Sequence, residues 1–207
     1  MPSVGPDFCV SLYTSASSLP SLVWETFRSY PCEANVMFPH AEKCREQERR
    51  GESSDGLWIT CTTSERFTTT SLDFVLSCTR SPLGDYPVFI FTTLPSREHD
   101  CEHARRRICS IVRLLAQNVR LERVFSVFAP EQITRIFAST WADHTGVGLD
   151  RDPVYYAAKS SYCTVQSFRP RQHSVLPGVS YDLRLARDED AARCAELCHG
   201  FAKESVR

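Results

Sequence analysis

The sequence predicts an α/β (α+β) fold in which helices flank a mixed central sheet. Three segments rich in β-forming residues, 57–63, 72–79 and 87–93, are separated by turn-forming residues, which indicates a meander of neighbouring strands. Residues 100–118 then follow a helical period, and further strand-like and helix-like segments alternate after them. Because 42% of the 207 residues are hydrophobic, the chain can bury a sizeable core of this kind.

The composition argues against several classes of partner. The formal net charge is −1, so no global positive field attracts nucleic acid or an anionic membrane surface. The apolar runs are only a few residues long, which is far short of a membrane-spanning helix. The first twenty residues lack a basic segment followed by an apolar one. We therefore expect no secretory signal and a cytoplasmic location.

The residues that precede the meander predict one strand and two helices. Residues 8–13 have the composition of a strand. A helix follows, with Ser18 as its N-cap and Pro31 at its end. Residues 34–50 predict a second helix, and we expect its regular part to begin at Pro39 because proline suits only the first turn.

The residues that follow the meander predict a helix, a strand, a second helix and a last strand. In the helix of residues 100–118, apolar side chains at helical spacing form one buried stripe. That stripe consists of Ile108, Ile111, Val112 and Leu115. Residues 124–128 predict a short buried strand, and Pro130 and Gly146 mark the first turn and the end of the next helix. Residues 154–168 predict a long strand or a bent pair of strands.

The C-terminal part predicts an incomplete second unit. Residues 169–178 contain two prolines and a glycine and predict a linker after a first domain, residues 1–168. Residues 179–207 predict one strand and one helix, with Asp188 as the helix N-cap. The apolar face of that helix consists of Ala191, Cys194, Ala195, Leu197, Cys198 and Phe201. Since a strand and a helix cannot bury a core of their own, we expect either the opening of a second domain or an edge element docked on the first.

The chain contains ten cysteines and no CxxC pair. Most of them lie within apolar patterns, so we expect buried free thiols rather than disulfides. Cys194, Cys198 and His199 could ligate zinc, but the two cysteines are one helical turn apart on the apolar face, which favours core packing.

The order of elements in residues 1–168 resembles the GNAT N-acetyltransferase superfamily. Two stretches carry the resemblance locally. After the predicted strand YDLRL, the residues ARDEDAARCAELCHGFAKES are similar to the opening helix of a GNAT domain. The residues RVFSVFAPEQITRIFASTWADHTG, followed by VYYAAKSSYC, are similar to the C-terminal half of fungal GNAT-like proteins with two such units in tandem. The resemblance implies one full but degenerate GNAT-like unit, the beginning of a second, and acetyl transfer to an amine.

The resemblance also implies where acetyl-CoA would bind. In the family a turn of the form Arg/Gln-x-x-Gly-x-Gly/Ala follows the fourth strand and holds the pyrophosphate at a helix start. The turn implied in this chain comprises Arg97, Glu98, His99, Asp100, Cys101 and Glu102. Arg97 matches the first position, whereas Asp100 and Glu102 replace the two glycines. Carboxylates at a helix start cap the free N–H groups and repel a pyrophosphate, so we expect these two residues to cap the helix and acetyl-CoA binding to be weak or absent.

A rearranged anion site is the alternative for this turn. It would use Arg97 together with the run Arg105–Arg107. Three consecutive arginines point in different directions around a helix, so they cannot all converge on one ligand.

The sequence does not identify catalytic residues. The family commonly uses a tyrosine after its fifth strand as acid, but the helix after residues 124–128 has none, and Trp141 and His144 are its nearest candidates. Further candidates are three tyrosines expected in sheet packing, two carboxylates near the meander and a histidine pair one turn apart, which we expect to be solvated rather than metal-bound. These residues are Tyr155, Tyr156, Tyr162, Glu65, Asp73, His99 and His103.

Three functions therefore remain open. The chain could be an N-acyltransferase that uses acetyl-CoA, or a catalytically silent GNAT-like module that packs on or regulates an active partner unit. It could also be an unrelated α/β interaction domain, since the order of elements does not fix a function. The C-terminal helix needs a cover for its apolar face, and the alternatives for that cover are the sheet edge of the first unit, a second GNAT-like unit or a second copy of the chain in a homodimer.

Overall fold

The structure is a computed structural model that describes residues 7–52, 56–64, 70–81, 84–159, 161, 163–169, 178 and 184–205. The chain divides into two compact units, Met1–Asp150 and Arg151–Arg207. The fold is mixed α+β, as the sequence predicted. None of the helices in the described residues is long and apolar enough to cross a membrane.

The first unit is built on a five-stranded mixed sheet. Its strands and those of a small hairpin are β1 (Asp7–Tyr13), β2 (Leu57–Ser64), β3 (Ser71–Cys78), β4 (Arg80–Ser81), β5 (Gly84–Asp85), β6 (Val88–Thr92) and β7 (Val127–Phe128). The sheet order is β1-β2-β3-β6-β7, and β4 and β5 form the separate hairpin. All pairs within the sheet are antiparallel except β6 with β7, which is parallel.

In the described residues, four α-helices belong to this unit and a fifth lies in the second unit. They are α1 (Ser21–Ser29), α2 (Met37–Arg49), α3 (Glu102–Asn118), α4 (Glu131–Thr145) and α5 (Ala191–Ser205). Helices α1 and α2 connect β1 to β2, and α3 connects β6 to β7. The parallel pair requires such a crossover, because a tight turn can join only antiparallel strands.

Helices cover both faces of the sheet, and alternate residues of each strand serve the two sides. On one face Ile59, Phe74 and Leu76 pack with the buried stripes of α3 and α4. On the other face Trp58 and Val75 pack with α1 and α2. The central strands are therefore buried almost throughout.

Several helix ends differ from the sequence prediction. Ser18 is the last residue of a short 3₁₀ turn capped by Ser15, and the N-cap of α1 is Pro20. Helix α2 begins two residues before Pro39, which lies in its first turn. Gly146 ends α4 as predicted, since its φ of 76° lies in the left-handed region that glycine adopts without strain.

The second unit corrects the prediction for residues 154–168. The described part of this segment contains a turn at residues 165–167 and no strand. Tyr155 and Tyr156 are exposed rather than packed in a sheet. A β-prone segment becomes a strand only when it pairs with a neighbour, and none pairs with it in the described residues. Of the predicted strand at residues 181–186, the first three lie outside the described residues and the last three are not in a strand.

The apolar face of α5 is also exposed, contrary to the packing expected of its cysteines. Cys194 and Cys198 are both exposed, and so are Leu197 and Phe201. The elements described in this unit are one 3₁₀ turn and one helix, which cannot cover that face. The ten cysteines are free thiols, but only Cys44, Cys61 and Cys78 are buried.

We expect truncation of a leucine in the core and truncation of a leucine in α5 to differ in their effect on the free energy of unfolding. Leu76→Ala removes a fully buried side chain and should lower the free energy of unfolding by about 2–5 kcal/mol. Leu197 is 59% exposed, so Leu197→Ala should change it by less than about 0.5 kcal/mol. Urea denaturation of both variants measures the difference. Equal losses would mean that α5 is packed in a core.

Candidate functional site

The turn between β6 and α3 is fixed to the neighbouring strand β3. The Oγ1 of Thr92 donates to the Asp73 carbonyl at 2.9 Å, and the Oγ1 of Thr93 donates to the Leu72 carbonyl at 2.6 Å. The N–H of Leu94 donates in turn to Thr92 Oγ1 at 3.1 Å. These bonds hold the start of the turn against the sheet before the chain enters α3.

His99 fills the inside of this turn. It is only 6% exposed, and its Nε2 donates to the Leu94 carbonyl at 2.8 Å. The expectation that His99 is solvated was therefore wrong, because its ring closes the turn by bonding back to its first residues. His103, one turn later, is partly buried. Its pKa is lowered mainly by this burial and to a smaller extent by the positive charge of Arg107. The described residues contain no group of three or more metal-ligating side chains.

The other residues predicted to bind acetyl-CoA lie around the outer side of the turn. Arg97 is exposed, with its Nε 3.6 Å from the Glu98 carboxylate. Cys101 is the N-cap of α3 and makes no side-chain capping bond. Glu102 is the first residue of the helix and is exposed.

The expected capping by Asp100 is not observed. Its carboxylate accepts a bond from the Nη2 of Arg105 instead. The reason is a matter of register: because α3 begins at Glu102, Asp100 lies before the N-cap, where its carboxylate faces a side chain of the first turn.

The three consecutive arginines of α3 diverge, as their spacing predicted. Arg105 pairs with Asp100, Arg106 is exposed, and Arg107 is directed into the core. They do not form a common anion site.

Arg107 is the centre of a buried network that the sequence analysis missed. Its Nε donates to Asp73 Oδ2 at 2.6 Å, and its Nη2 donates to Thr63 Oγ1 at 2.6 Å. Thr63 donates to the same carboxylate at 2.5 Å. The guanidinium also lies 4.8 Å from the centre of the Phe8 ring. The network thus connects α3 with β1, β2 and β3.

Two signals in the sequence could have indicated this network. Asp73 is the one charged residue of the apolar strand SLDFVLSC, and Arg107 lies one helical turn before Ile111, on the buried stripe of α3. A charge at a buried position requires a partner, so each predicts the other.

Cys61 lies beside this network, and its side chain is fully buried. Burial, which has the larger effect, and the nearby Asp73 carboxylate raise the pKa of its thiol to about 12. The thiol therefore stays protonated at neutral pH.

A partly buried titratable group, His40 of α2, was also missed by the sequence analysis. Its Nε2 lies 2.7 Å from Thr79 Oγ1, and its ring contacts Trp58, Tyr86 and Phe89 at centroid distances of 5.8, 5.0 and 5.4 Å. Burial, and after it the charge of Lys43, lowers its pKa from 6.5 to about 4. The imidazole is therefore neutral at physiological pH.

The remaining catalytic candidates that the structure describes are not brought together. Trp141 is buried and stacks on Phe137 at 6.1 Å, whereas His144 is exposed at the end of the same helix. Asp73 is committed to Arg107 and Thr63. Glu65 and Tyr162 lie outside the described residues.

Comparison with protein-family models, curated proteins and solved structures finds no match for this chain. What the site does must therefore be inferred from its geometry.

We expect the loss of Arg107 alone to destabilise the protein by several kilocalories per mole. Arg107→Met leaves the Asp73 carboxylate buried without its partner, which should destabilise the protein by about 3–5 kcal/mol. Arg105→Met is the matched control, because its ion pair is at least half exposed on both sides and should be worth at most about 1 kcal/mol. Urea denaturation measures both. A loss for Arg107→Met no larger than that of the control would contradict the assignment.

We expect His40 to destabilise the folded protein in acid. Its folded pKa of about 4 lies below the ordinary 6.5, so the unfolded chain binds the proton first as pH falls. The stability lost to this proton is small above pH 6.5, grows as pH falls towards 4, and amounts to at most about 2 kcal/mol at about pH 5. The loss of unfolding free energy between neutral pH and about pH 5 should be smaller in His40→Gln. An identical loss would contradict the low pKa.

Proposed function

We propose that the first unit is a catalytically silent GNAT-like module that packs on or regulates an active GNAT-like partner unit. The sheet order β1-β2-β3-β6-β7, with one parallel pair and α3 as its crossover, supports the family part of the proposal. So does the position of the turn, which follows the fourth long strand and precedes α3. The free thiols fit the cytoplasmic location that we also propose.

The pairing of charges around the turn supports the proposal that the module is catalytically silent. Arg97 faces Glu98, Arg105 faces Asp100, and Arg107 faces Asp73. A pyrophosphate site needs cationic or N–H groups that are free to turn to the ligand. Here a carboxylate already accompanies each of these three cations, so an incoming pyrophosphate would meet Asp100 and Glu102 with little positive charge to offset them.

The inside of the turn leads to the same conclusion. In a cofactor turn, glycines let the backbone close on the phosphates. In this chain the buried ring of His99 closes the turn on itself through the Leu94 carbonyl. A ligand would have to displace that ring as well as break the Asp100–Arg105 pair.

We expect acetyl-CoA to leave the melting temperature unchanged. A ligand present at a hundred times its dissociation constant adds about 2.7 kcal/mol of stability, which a thermal melt would detect easily. A clear rise in the melting temperature with acetyl-CoA that disappears in Arg97→Ala would refute the silent module and favour an active N-acyltransferase.

The double variant Asp100→Gly with Glu102→Gly is the positive counterpart of this experiment. It restores the glycines at both positions and removes the two carboxylates. If the turn otherwise has the family geometry, the variant should melt at a higher temperature with acetyl-CoA than without it. No gain in a variant that also carries His99→Gly would mean that no cofactor groove faces the turn, which would contradict the family part of the proposal.

A further inference from the structure

Two cysteines of α5 form a pair of thiols that solvent reaches. Cys194 and Cys198 are exposed and free, contrary to the core packing that the sequence favoured for them. They lie four residues apart on one helix, so their Cβ atoms are about 5–6 Å apart on the same face. We call these two residues the α5 thiol pair. Because the described residues do not bury the pair, its capacity to bind a metal becomes relevant again.

Two thiols with this spacing can bind one metal ion together. Two histidines four residues apart on a helix bind zinc in this way in the motif His-Glu-x-x-His. Thiolate is a softer ligand than imidazole or carboxylate, and it selects zinc over magnesium and calcium. A structural zinc ion held by sulfur takes four ligands in a tetrahedron, with Zn–S distances of about 2.3 Å. The α5 thiol pair therefore provides half of such a site.

His199, the third residue that the sequence offered for zinc, does not complete the site. It directly follows Cys198, and successive side chains of a helix diverge by about 100° around its axis. It is five residues from Cys194, a spacing that does not place two side chains on the same face. In agreement with this, the described residues contain no group of three metal-ligating side chains. The other two ligands must come from outside this helix.

A second copy of α5 supplies two further thiols of the same kind. All ten cysteines of the chain lie in the described residues, and none of the other eight joins the pair in a group of three. Two α5 helices related by a two-fold axis bring four thiols together, which completes a tetrahedral set. Leu197 and Phe201, on the same side of the helix, are 59% and 76% exposed. Pairing of the helices would therefore also cover apolar surface.

The start of α5 is fixed by contacts within the second unit. The guanidinium of Arg184 donates to both carboxylate oxygens of Asp190, at 2.7 and 3.0 Å, and the N–H of Arg187 donates to the same carboxylate at 2.8 Å. On another side of the helix, Arg193 and Glu196 pair with each other at 2.5 Å. The thiols are thus carried by a helix whose start is already ordered, which reduces the entropy lost when they bind a metal.

We propose that the second unit binds one zinc ion between two copies of the chain, through the α5 thiol pair of each copy. Each S–H bond is replaced by a Zn–S bond, and its proton passes to the solvent. The four thiolates and the ion together carry a charge of about −2. The proposal concerns the second unit alone, so it is independent of the function proposed for the first unit.

Titration of the full, reduced chain with Co²⁺ and then with Zn²⁺ tests the proposal. Cobalt(II) bound to four thiolates absorbs strongly in the visible and near ultraviolet, and zinc should displace it. We expect both signals to saturate at one ion for two chains, with a doubling of the molar mass in light scattering. Cys194→Ser and Cys198→Ser should each abolish the cobalt spectrum and the metal-dependent dimer. Cys163→Ser is the matched control, because it removes an exposed thiol of the same unit outside α5, and it should change neither signal.

Four results would overturn the proposal. The first is the absence of a thiolate spectrum with cobalt, and the second is one ion bound per chain without a change of molar mass. The third is an equal loss of binding in Cys163→Ser. The fourth is a dimer that forms without metal and that a reductant separates, because it would assign the thiol pair to disulfides between chains.

Discussion

The buried contact of Arg107 with Asp73 and Thr63 fixes α3 on the sheet, and the rest of the first unit depends on that placement. It joins the helix to β2 and β3 by hydrogen bonds and to β1 through the Phe8 ring. Burying a guanidinium and a carboxylate is costly, so such a pair adds little stability over apolar side chains but tolerates few alternative positions. We infer that this contact sets the rotation of α3 about its axis. It thereby also determines which side chains are exposed at each end of the helix.

At the N-terminal end, that rotation leaves Arg105 beside Asp100 and removes Arg107 from the surface. The turn that we propose to be a degenerate cofactor turn thus has Asp100 paired with Arg105 and its interior filled by His99. At the C-terminal end, the chain leaves the helix into a short turn whose arginines line an open cleft. The proposed loss of cofactor binding is therefore a consequence of the position of this helix.

The sequence alone predicted the elements whose patterns are strong and local. The apolar stripe of α3, the three long central strands and the glycine end of α4 all have local physical causes. The prediction of a strand at residues 154–168 was wrong because a strand depends on a neighbour that no local pattern specifies. The prediction that Asp100 caps the helix was wrong because α3 starts two residues later than expected. The Asp100 carboxylate therefore pairs with Arg105 instead of the helix N–H groups. The partner of Arg107 lies 34 residues away in sequence, a distance at which periodicity carries no information.

A crystal structure of the full chain determined with acetyl-CoA tests the central claim most directly. We predict that the Asp100–Arg105 pair and the His99 bond to the Leu94 carbonyl remain intact, and that no density for a pyrophosphate lies over the first turn of α3. A pyrophosphate bound to the N–H groups of Cys101, Glu102 and His103, with Arg105 or Arg97 turned towards it, would contradict the account.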